Sequence, residues 1–189
     1  FEPDDFRYYN GELPDGVPDR VFMAVDPAWG GGDFVAGPVC VKYGNDIYVP
    51  AVVYNNGDKR ITQQLVAESV INNDVAALQF EANKTTIAYA EGVEELLKAQ
   101  NKRINLTTKT TAITIGGKAQ RIFDKAPDIR ERMIFLAEGK RSKEYQLFMQ
   151  NVFSFKMIGK NKNDDAPDSL AQAIEMDQST AVKVLLMDR

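Results

Sequence analysis

The sequence predicts an α/β fold with a mixed central sheet flanked by helices. Three apolar stretches joined by turn residues occupy the first third of the chain, and they predict an antiparallel meander. After residue 57, helical and strand-like patterns alternate, which is typical of parallel strands joined by crossover helices. Of the 189 residues, 44% are hydrophobic and 26% are charged, the balance of an ordinary globular domain.

The meander is predicted from three strands near the start of the chain. Residues 1–20 contain three prolines and several turn signals, so we expect an irregular lead-in or linker there. The stretch RVFMAVDP predicts a buried strand that ends at Asp26. Two further strands are expected in 34–44 and 46–57, and the turn at Gly44-Asn45-Asp46 between them predicts a hairpin.

Helices and strands alternate through the rest of the chain. The spacing of apolar residues predicts helices in 58–74, 84–102, 116–130, 142–155 and 166–178. Strands are predicted in 75–81, 104–109 and 132–139. We expect Pro127 to end the third helix, since proline disrupts a helix interior. The apolar tail 181–189 suits either a strand or a contact with further chain.

The absence of histidine excludes several kinds of active site. Ser-His-Asp and Cys-His hydrolysis need an imidazole base, and zinc sites need His or Cys ligands, but this chain has no His and one Cys. A metal would therefore be held by oxygen ligands, which favours Mg²⁺, Mn²⁺ or Ca²⁺. Cys40 lies in an apolar stretch and is interpreted as a buried strand residue, which fits a reducing compartment.

Charge and hydropathy limit the partners of the chain. The formal net charge of −4 argues mildly against nucleic acid unless a local basic patch overrides the total. No apolar run reaches the roughly 18 residues that span a bilayer, so no membrane partner is expected.

Acidic residues stand at three positions where a site could form. Asp26 and Glu81 each end a predicted buried strand, and in open α/β sheets sites form at the carboxyl ends of strands. Each acid also has a structural interpretation, as a turn residue or as a solvated strand end. The third position is the start of the last helix, where Asp165 could be a simple N-cap and Asp168 could complement the helix dipole.

The three positions taken together favour a metal site. The segment NDDAPDSL gathers Asp164, Asp165 and Asp168, although an N-cap needs only one acceptor. Carboxylates held this close repel one another unless a cation offsets their charge. Two divalent ions about 3.5–4 Å apart can stabilise both the attacking and the leaving oxygen of a phosphodiester, which requires carboxylates and no histidine.

The order of the motifs FMAVDPAWGGGDF, ALQFEANK and KNDDAPDSLAQA resembles the nuclease domain of the large terminase subunit of tailed bacteriophages. That family has an RNase H-like fold and is related to the Holliday-junction resolvases. The resemblance covers roughly residues 20–178. It implies a two-metal endonuclease, with Mg²⁺ or Mn²⁺, that cuts concatemeric double-stranded phage DNA when packaging begins and when the head is full.

The resemblance also implies roles for individual acids. Asp26 would be the central ligand of both ions, while Glu81 and Asp168 would each bind one of them. Asp165 would be either a direct ligand or a neighbour of one, and Asp164 would be auxiliary. Which of the three acids of the last helix contacts metal stays open at this point.

Basic residues near these motifs are interpreted as a phosphate-binding surface. The candidates for DNA binding are Lys84, Lys109, Lys118, Arg121 and Lys125. Lys118, Arg121 and Lys125 have near-helical spacing and could share one helix face. Such a face could contact phosphates without reading bases, or it could simply be solvated.

The resemblance implies further chain and further partners. The sequence does not begin with Met and contains no Walker A motif, so we expect it to be the nuclease part of a longer terminase. Residues 1–20 would lead in from an ATPase domain, 21–179 would form the nuclease domain and 180–189 a tail. The portal and the small terminase subunit would be further partners, in the host cytoplasm.

Two alternative functions remain open from the sequence. One is a resolvase or another RNase H-like nuclease, which acts on junctions or on RNA–DNA hybrids. The other is a non-catalytic DNA-binding or docking module whose acids are structural.

Overall fold

A single mixed sheet forms the centre of the computed structural model, which describes residues 1–27, 33–81, 86–109, 117–159, 161 and 163–187, with side chains up to Ser179. The eight strands are β1 (Arg7–Tyr9), β2 (Arg20–Val25), β3 (Val35–Tyr43), β4 (Asp46–Val49), β5 (Val52–Asn55), β6 (Ala77–Glu81), β7 (Asn105–Lys109) and β8 (Met133–Leu136). Their order is β1-β8-β4-β3-β2-β6-β7, and β5 pairs with the first half of β3.

The strand directions confirm the predicted mixed sheet. β2, β3 and β4 form the antiparallel meander, with the hairpin turn at the expected position. β6 lies parallel to β2, and β7 lies parallel to β6. β8 returns to the other side of the meander and pairs in parallel with β4, and β1 pairs in parallel with β8.

In the described residues, five α-helices cover the two faces of the sheet. They are α1 (Lys59–Asn72), α2 (Thr86–Ala99), α3 (Gly117–Arg132), α4 (Lys143–Ser154) and α5 (Asp165–Met187). The sequence marks some of their starts, since the Asp58 carboxylate accepts from the Ile61 amide and the Ser142 hydroxyl accepts from the Tyr145 amide. No helix in the described part of the chain is long and apolar enough to cross a membrane.

Four sequence expectations about these elements differ from the structure. Residues 1–20 are not wholly irregular, because they contain β1 and the buried Phe6. The strand expected over 46–57 is divided at Pro50 and Ala51 into β4 and β5. The third helix does not end at Pro127, which lies inside α3 on an exposed face where water can satisfy the carbonyl left unpaired. The tail is helical as far as Met187, as part of α5.

Alternating side chains divide the apolar core between the two faces of the sheet. Phe22 and Ala24 of β2 pack in the core that includes residues of α3, α4 and α5. Met23 and Val25 pack on the opposite face, in the core that includes residues of α1 and α2. Cys40 is buried in β3 as expected. Alternation therefore fixes which face any residue at the end of β2 will occupy.

Candidate metal centre

Asp26 lies at the carboxyl end of β2, on the α5 side of the sheet. It follows Phe22 and Ala24 in the alternation, so its side chain belongs to the same face. Its backbone is held in a reciprocal pair of hydrogen bonds, in which the Asp26 amide donates to the Ala36 carbonyl over 2.9 Å and the Ala36 amide donates back over 3.1 Å. The residue is buried, with 8% exposure.

Glu81 ends the neighbouring strand β6 and stands beside Asp26. The parallel register pairs Val25 with Phe80, so Asp26 and Glu81 are one step further along the two strands. Both carboxylates therefore leave the sheet at the same edge and toward the same face. These two acids meet because each stands at the end of an apolar strand and the two strands pair in parallel.

Asp168 supplies the third carboxylate from the first turn of α5. Its side chain is fully buried, and its amide donates to the Asp164 carbonyl over 3.0 Å. One carboxylate oxygen from each of Asp26, Glu81 and Asp168 lies within 4.8 Å of the others. We call these three residues the carboxylate cluster.

Two cations from the first turns of α3 face the carboxylate cluster. The Lys118 ammonium lies 2.8 Å from an Asp26 oxygen and 3.4 Å from an Asp168 oxygen. The Arg121 guanidinium binds both Asp168 oxygens, over 2.8 and 2.6 Å, and one Glu81 oxygen over 3.1 Å. The carboxylate cluster therefore already attracts positively charged side chains of the protein itself, without an added ion.

Burial and mutual repulsion perturb the ionisation of these groups. Burial is the main cause that raises the pKa of Asp26 to about 7, against the attraction of Lys118 and together with repulsion from the Asp168 and Glu81 carboxylates. Burial opposes the charge on Lys118, but Asp26 and Asp168 outweigh that effect and raise its pKa. A bound cation would favour the ionised form of Asp26 for the same electrostatic reason.

Asp165 and Asp164 are placed differently from Asp168. One Asp165 oxygen accepts from the Phe34 amide over 3.1 Å, and the other lies 3.9 Å from Lys118. Burial raises the pKa of both carboxyls. Neither belongs to the group of mutually close oxygens, so the geometry distinguishes Asp168 from its two neighbours.

The three basic residues of α3 that could share one helix face, Lys118, Arg121 and Lys125, are not all exposed. Arg121 is only 5% exposed and points into the carboxylate cluster, because it lies on the buried stripe of α3. Lys118 is half-buried at the cluster's rim. Lys109 binds Glu175 over 3.1 Å, and Lys125 donates to Gln178 over 2.7 Å. Lys84 lies outside the described residues.

Gln172 is a polar contact of the site that sequence reasoning missed. It is 4% exposed and lies one helical turn after Asp168. Its amide nitrogen donates to Glu81 and to Asp168, over 3.1 Å each. The sequence signal that could have identified Gln172 is its position four residues after an acid at a helix start, which places both side chains on one helix face.

A second set of buried charges, centred on Asp177, joins α5 to α3 and β3. The Arg132 guanidinium binds one Asp177 oxygen over 2.5 Å, and the Lys42 ammonium binds the other over 2.7 Å. Burial raises the pKa of Asp177, but these two cations outweigh it and hold the pKa below its ordinary value. We call Asp177, Lys42 and Arg132 the Asp177 cluster.

The carboxylate cluster has the ligand chemistry of a site for a hard divalent ion. All its ligand atoms are carboxylate oxygens, which Mg²⁺ and Mn²⁺ prefer. The Lys118 ammonium near Asp26, Asp168 and Asp165 shows that a positive charge fits among them. The residues therefore fit such an ion by charge and by donor type.

Comparison with known proteins shows the fold of terminase nuclease domains. The human cytomegalovirus terminase nuclease domain, soaked with Mn and bound to an inhibitor, matches with a TM-score of 0.65 and 11% identity over 92% of this chain and 90% of that one. The nuclease domain of the large terminase subunit gp2 of bacterial virus Sf6 matches with a TM-score of 0.54 and 11% identity over 83% and 88%.

A longer protein shows the same likeness over part of its length. The large terminase of a thermophilic bacteriophage matches with a TM-score of 0.59 and 8% identity, over 90% of this chain and 41% of that one. No protein-family model and no curated protein matches the chain. The predicted mixed α/β sheet flanked by helices is thus confirmed, and its fold is the one seen in terminase nuclease domains.

Proposed function

We propose that this chain is the nuclease domain of a large terminase subunit, a metal-dependent endonuclease that cuts concatemeric double-stranded phage DNA when packaging begins and when the head is full. The observation that carries the proposal is the carboxylate cluster, whose oxygens converge within 4.8 Å at the carboxyl edge of the sheet. The fold shared with terminase nuclease domains, two of them solved with manganese, supports the same function.

The metal ligands in this proposal are Asp26, Glu81 and Asp168. Asp26 takes the central place because it lies next to Glu81 in the sheet and shares the Lys118 ammonium with Asp168. Asp165 is a neighbour, held by the Phe34 amide and 3.9 Å from the Lys118 ammonium, and Asp164 is auxiliary. Two Mg²⁺ or Mn²⁺ ions held there would activate water and stabilise the leaving 3′ oxygen.

The chain's own residues bind and orient the substrate around these ligands. Lys118 is the cation of the site nearest to solvent, so we assign it to the phosphate of the strand being cut. Lys109 and Lys125 flank α5 and are assigned to phosphates further along the duplex, together with Lys84. The burial of Arg121 suits it to the carboxylates rather than to DNA.

Other parts of a packaging machine would move and position the DNA for this domain. An ATPase domain of the same polypeptide would move the DNA, and the portal and the small terminase subunit would position it. The large terminase of the thermophilic bacteriophage, which is more than twice as long as its matched region, is consistent with such an additional domain. The setting would be the host cytoplasm.

The test is cleavage of supercoiled plasmid with Mn²⁺ or Mg²⁺. We expect Asp26→Ala to reduce cutting about 1000-fold, because metal assistance is worth several kcal/mol and each ~1.4 kcal/mol is tenfold in rate. Asp46→Ala is the matched control, since Asp46 is also a strand carboxylate paired with a cation, Arg7, but lies outside the cluster. Undiminished cutting by Asp26→Ala would contradict the proposal.

A panel of substrates separates the proposal from its alternatives. Terminase function predicts similar cutting of linear and supercoiled duplexes and no preference for branched ones. A strong preference for four-way junctions would indicate a resolvase, and a preference for RNA–DNA hybrids would indicate another RNase H-like nuclease. Calorimetry that detects no Mn²⁺ binding would favour a non-catalytic module.

A further inference from the structure

Gln172 is a neutral side chain that bonds two members of the carboxylate cluster. Its amide nitrogen lies 3.1 Å from a Glu81 oxygen and 3.1 Å from an Asp168 oxygen. Asp168 and Gln172 lie on the same face of α5, whereas Glu81 comes from β6. Gln172 therefore links two ligands that belong to different elements of the fold.

The chemistry of the two partners fixes the orientation of the Gln172 amide. Ionised carboxylates only accept hydrogen bonds, and a carboxamide nitrogen has two hydrogens to donate. The nitrogen can thus serve both carboxylates at once. The opposite orientation would place the amide oxygen against two anions, which is repulsive.

Arg121 makes the corresponding link on the other side of Glu81. Its guanidinium binds the Glu81 oxygen that Gln172 does not, and it forms a two-pronged contact with Asp168. Both oxygens of Glu81 are therefore engaged, each by a different donor. Both donors also bind Asp168.

We propose that Gln172 and Arg121 are positioning residues that hold Glu81 and Asp168 at a fixed separation, with their oxygens available to the divalent ion that the carboxylate cluster would hold. The inference rests on the proposed function and adds the device that sets the geometry of its site. Carboxylate ligands of metals are commonly oriented by such outer hydrogen bonds.

The neutrality of Gln172 matters for the charge of the site. Asp26, Glu81, Asp165 and Asp168 face Lys118 and Arg121, which leaves a formal surplus of two negative charges. A lysine at position 172 would reduce that surplus and compete with an incoming ion. A glutamate would increase the repulsion. Glutamine provides two donors and leaves the attraction for divalent ions unchanged.

The test compares Gln172→Met with Gln178→Met. Methionine keeps the length of the side chain and removes its donors. Gln178 is the matched control, because it also lies on α5 and also bonds charged side chains of another element, Lys125 and Asp128 of α3, away from the carboxylate cluster. Calorimetric titration with Mn²⁺, without DNA, measures the affinity of each protein for the ion.

We expect Gln172→Met to weaken Mn²⁺ binding by about 10–100-fold, the usual effect of losing an outer-shell partner, and Gln178→Met to bind as the wild type does. Gln172→Asn retains the amide but withdraws it from Glu81 by one methylene, so an intermediate affinity is expected. Thermal unfolding verifies that each variant is folded. Arg121→Lys, which keeps the charge but loses the two-pronged contact, is expected to weaken binding in the same way.

The outcomes separate this inference from the proposed function. If the wild type binds Mn²⁺, Asp26→Ala does not, and folded Gln172→Met and Arg121→Lys both bind like the wild type, the positioning role is wrong while the nuclease proposal stands. If the wild type itself binds no Mn²⁺, both are overturned. Weakened binding in Gln172→Met with unchanged binding in Gln178→Met supports the positioning role.

Discussion

The carboxylate cluster and the Asp177 cluster are built from the same parts at two points along α5. In each, a buried Asp of α5 binds an Arg of α3, Arg121 with Asp168 and Arg132 with Asp177, and a Lys completes the contact. The difference lies in the balance of charge. Asp177 is one anion between two cations, whereas Asp168 belongs to a group in which carboxylates outnumber cations.

One type of ion pair thus serves two purposes in this fold. A buried carboxylate that is fully neutralised by its own protein has nothing to gain from an added cation, so it contributes only to the fold. A group with surplus negative charge retains attraction for an ion from solution. Whether an Arg–Asp pair between α3 and α5 is structural or functional can therefore be judged only from the other charges around it.

Replacing Asp168 or Asp177 should affect nuclease activity very differently. We expect Asp168→Asn to lower the rate of plasmid cutting with Mn²⁺ about 1000-fold, because a proposed metal ligand is lost. Asp177→Asn should cut at close to the wild-type rate when assayed below its unfolding temperature. Equal losses in the two variants would show that the clusters do not differ in function.

In stability the order should be reversed, with Asp177→Asn affected more than Asp168→Asn. Asp177→Asn leaves Lys42 and Arg132 without their buried counter-charge, and we expect the free energy of unfolding in urea to fall by about 3 kcal/mol. Asp168→Asn removes one of several mutually repelling carboxylates, so its destabilisation should be clearly smaller. Urea unfolding with a chelator present measures both.

Added Mn²⁺ should stabilise the protein only through the carboxylate cluster. At an ion concentration of about 100 times the dissociation constant, binding adds ~2.7 kcal/mol, which raises the unfolding temperature by roughly 5–10 °C in a chain of this size. Asp177→Asn should show the same increase from a lower starting temperature. In Asp26→Asn the increase should be largely lost, as calorimetric scans with and without Mn²⁺ would reveal.

The two clusters should also give opposite dependences of stability on pH. The pKa of Asp177 is lowered in the folded state, so its contribution is present above about pH 4 and is lost as the pH falls through the lowered value. The pKa of Asp26 is raised to about 7, so the favourable state is the protonated one, and stability is lost as the pH rises from about 4 to 7.

Urea unfolding from about pH 3 to about pH 8, in chelator, tests both directions. Asp177→Asn should flatten the acid limb below about pH 4, and Asp26→Asn should remove part of the decline between about pH 4 and about pH 7. An unchanged decline in Asp26→Asn would mean that burial does not raise the pKa of Asp26 in the folded protein.

The strand-end acids of the site were predictable from the sequence, and the reason is local. Asp26 and Glu81 terminate apolar stretches whose alternation and length identify buried strands. Strands that pair in parallel bring their carboxyl ends to one edge of the sheet. The crowding of acids at a helix start indicated Asp164, Asp165 and Asp168 as a group, and only the resemblance to terminase nucleases singled out Asp168.

The contacts between helices were not predictable in the same way. Arg121 belongs to a helix whose spacing fitted an exposed basic face, and only its packing on α5 turns the side chain toward Asp168. Gln172 is one polar residue among several in its helix until β6 is placed beside it. The strand β1 has three residues in a proline-rich segment, too few for a periodic signal, and depends on pairing with the distant β8.

The two strand-end acids of the proposed metal site also differ in how much side-chain freedom each would lose on binding an ion. Asp26 has two side-chain torsions and stands on backbone already fixed by its hydrogen bonds with Ala36. Glu81 has three torsions, and immobilising such a side chain costs up to about 2 kcal/mol in conformational entropy. Because hydrogen bonds already hold both Glu81 oxygens in the folded protein, this entropy is lost when the chain folds and not when an ion binds. The binding free energy of an ion is then reduced very little by the ordering of its most flexible ligand.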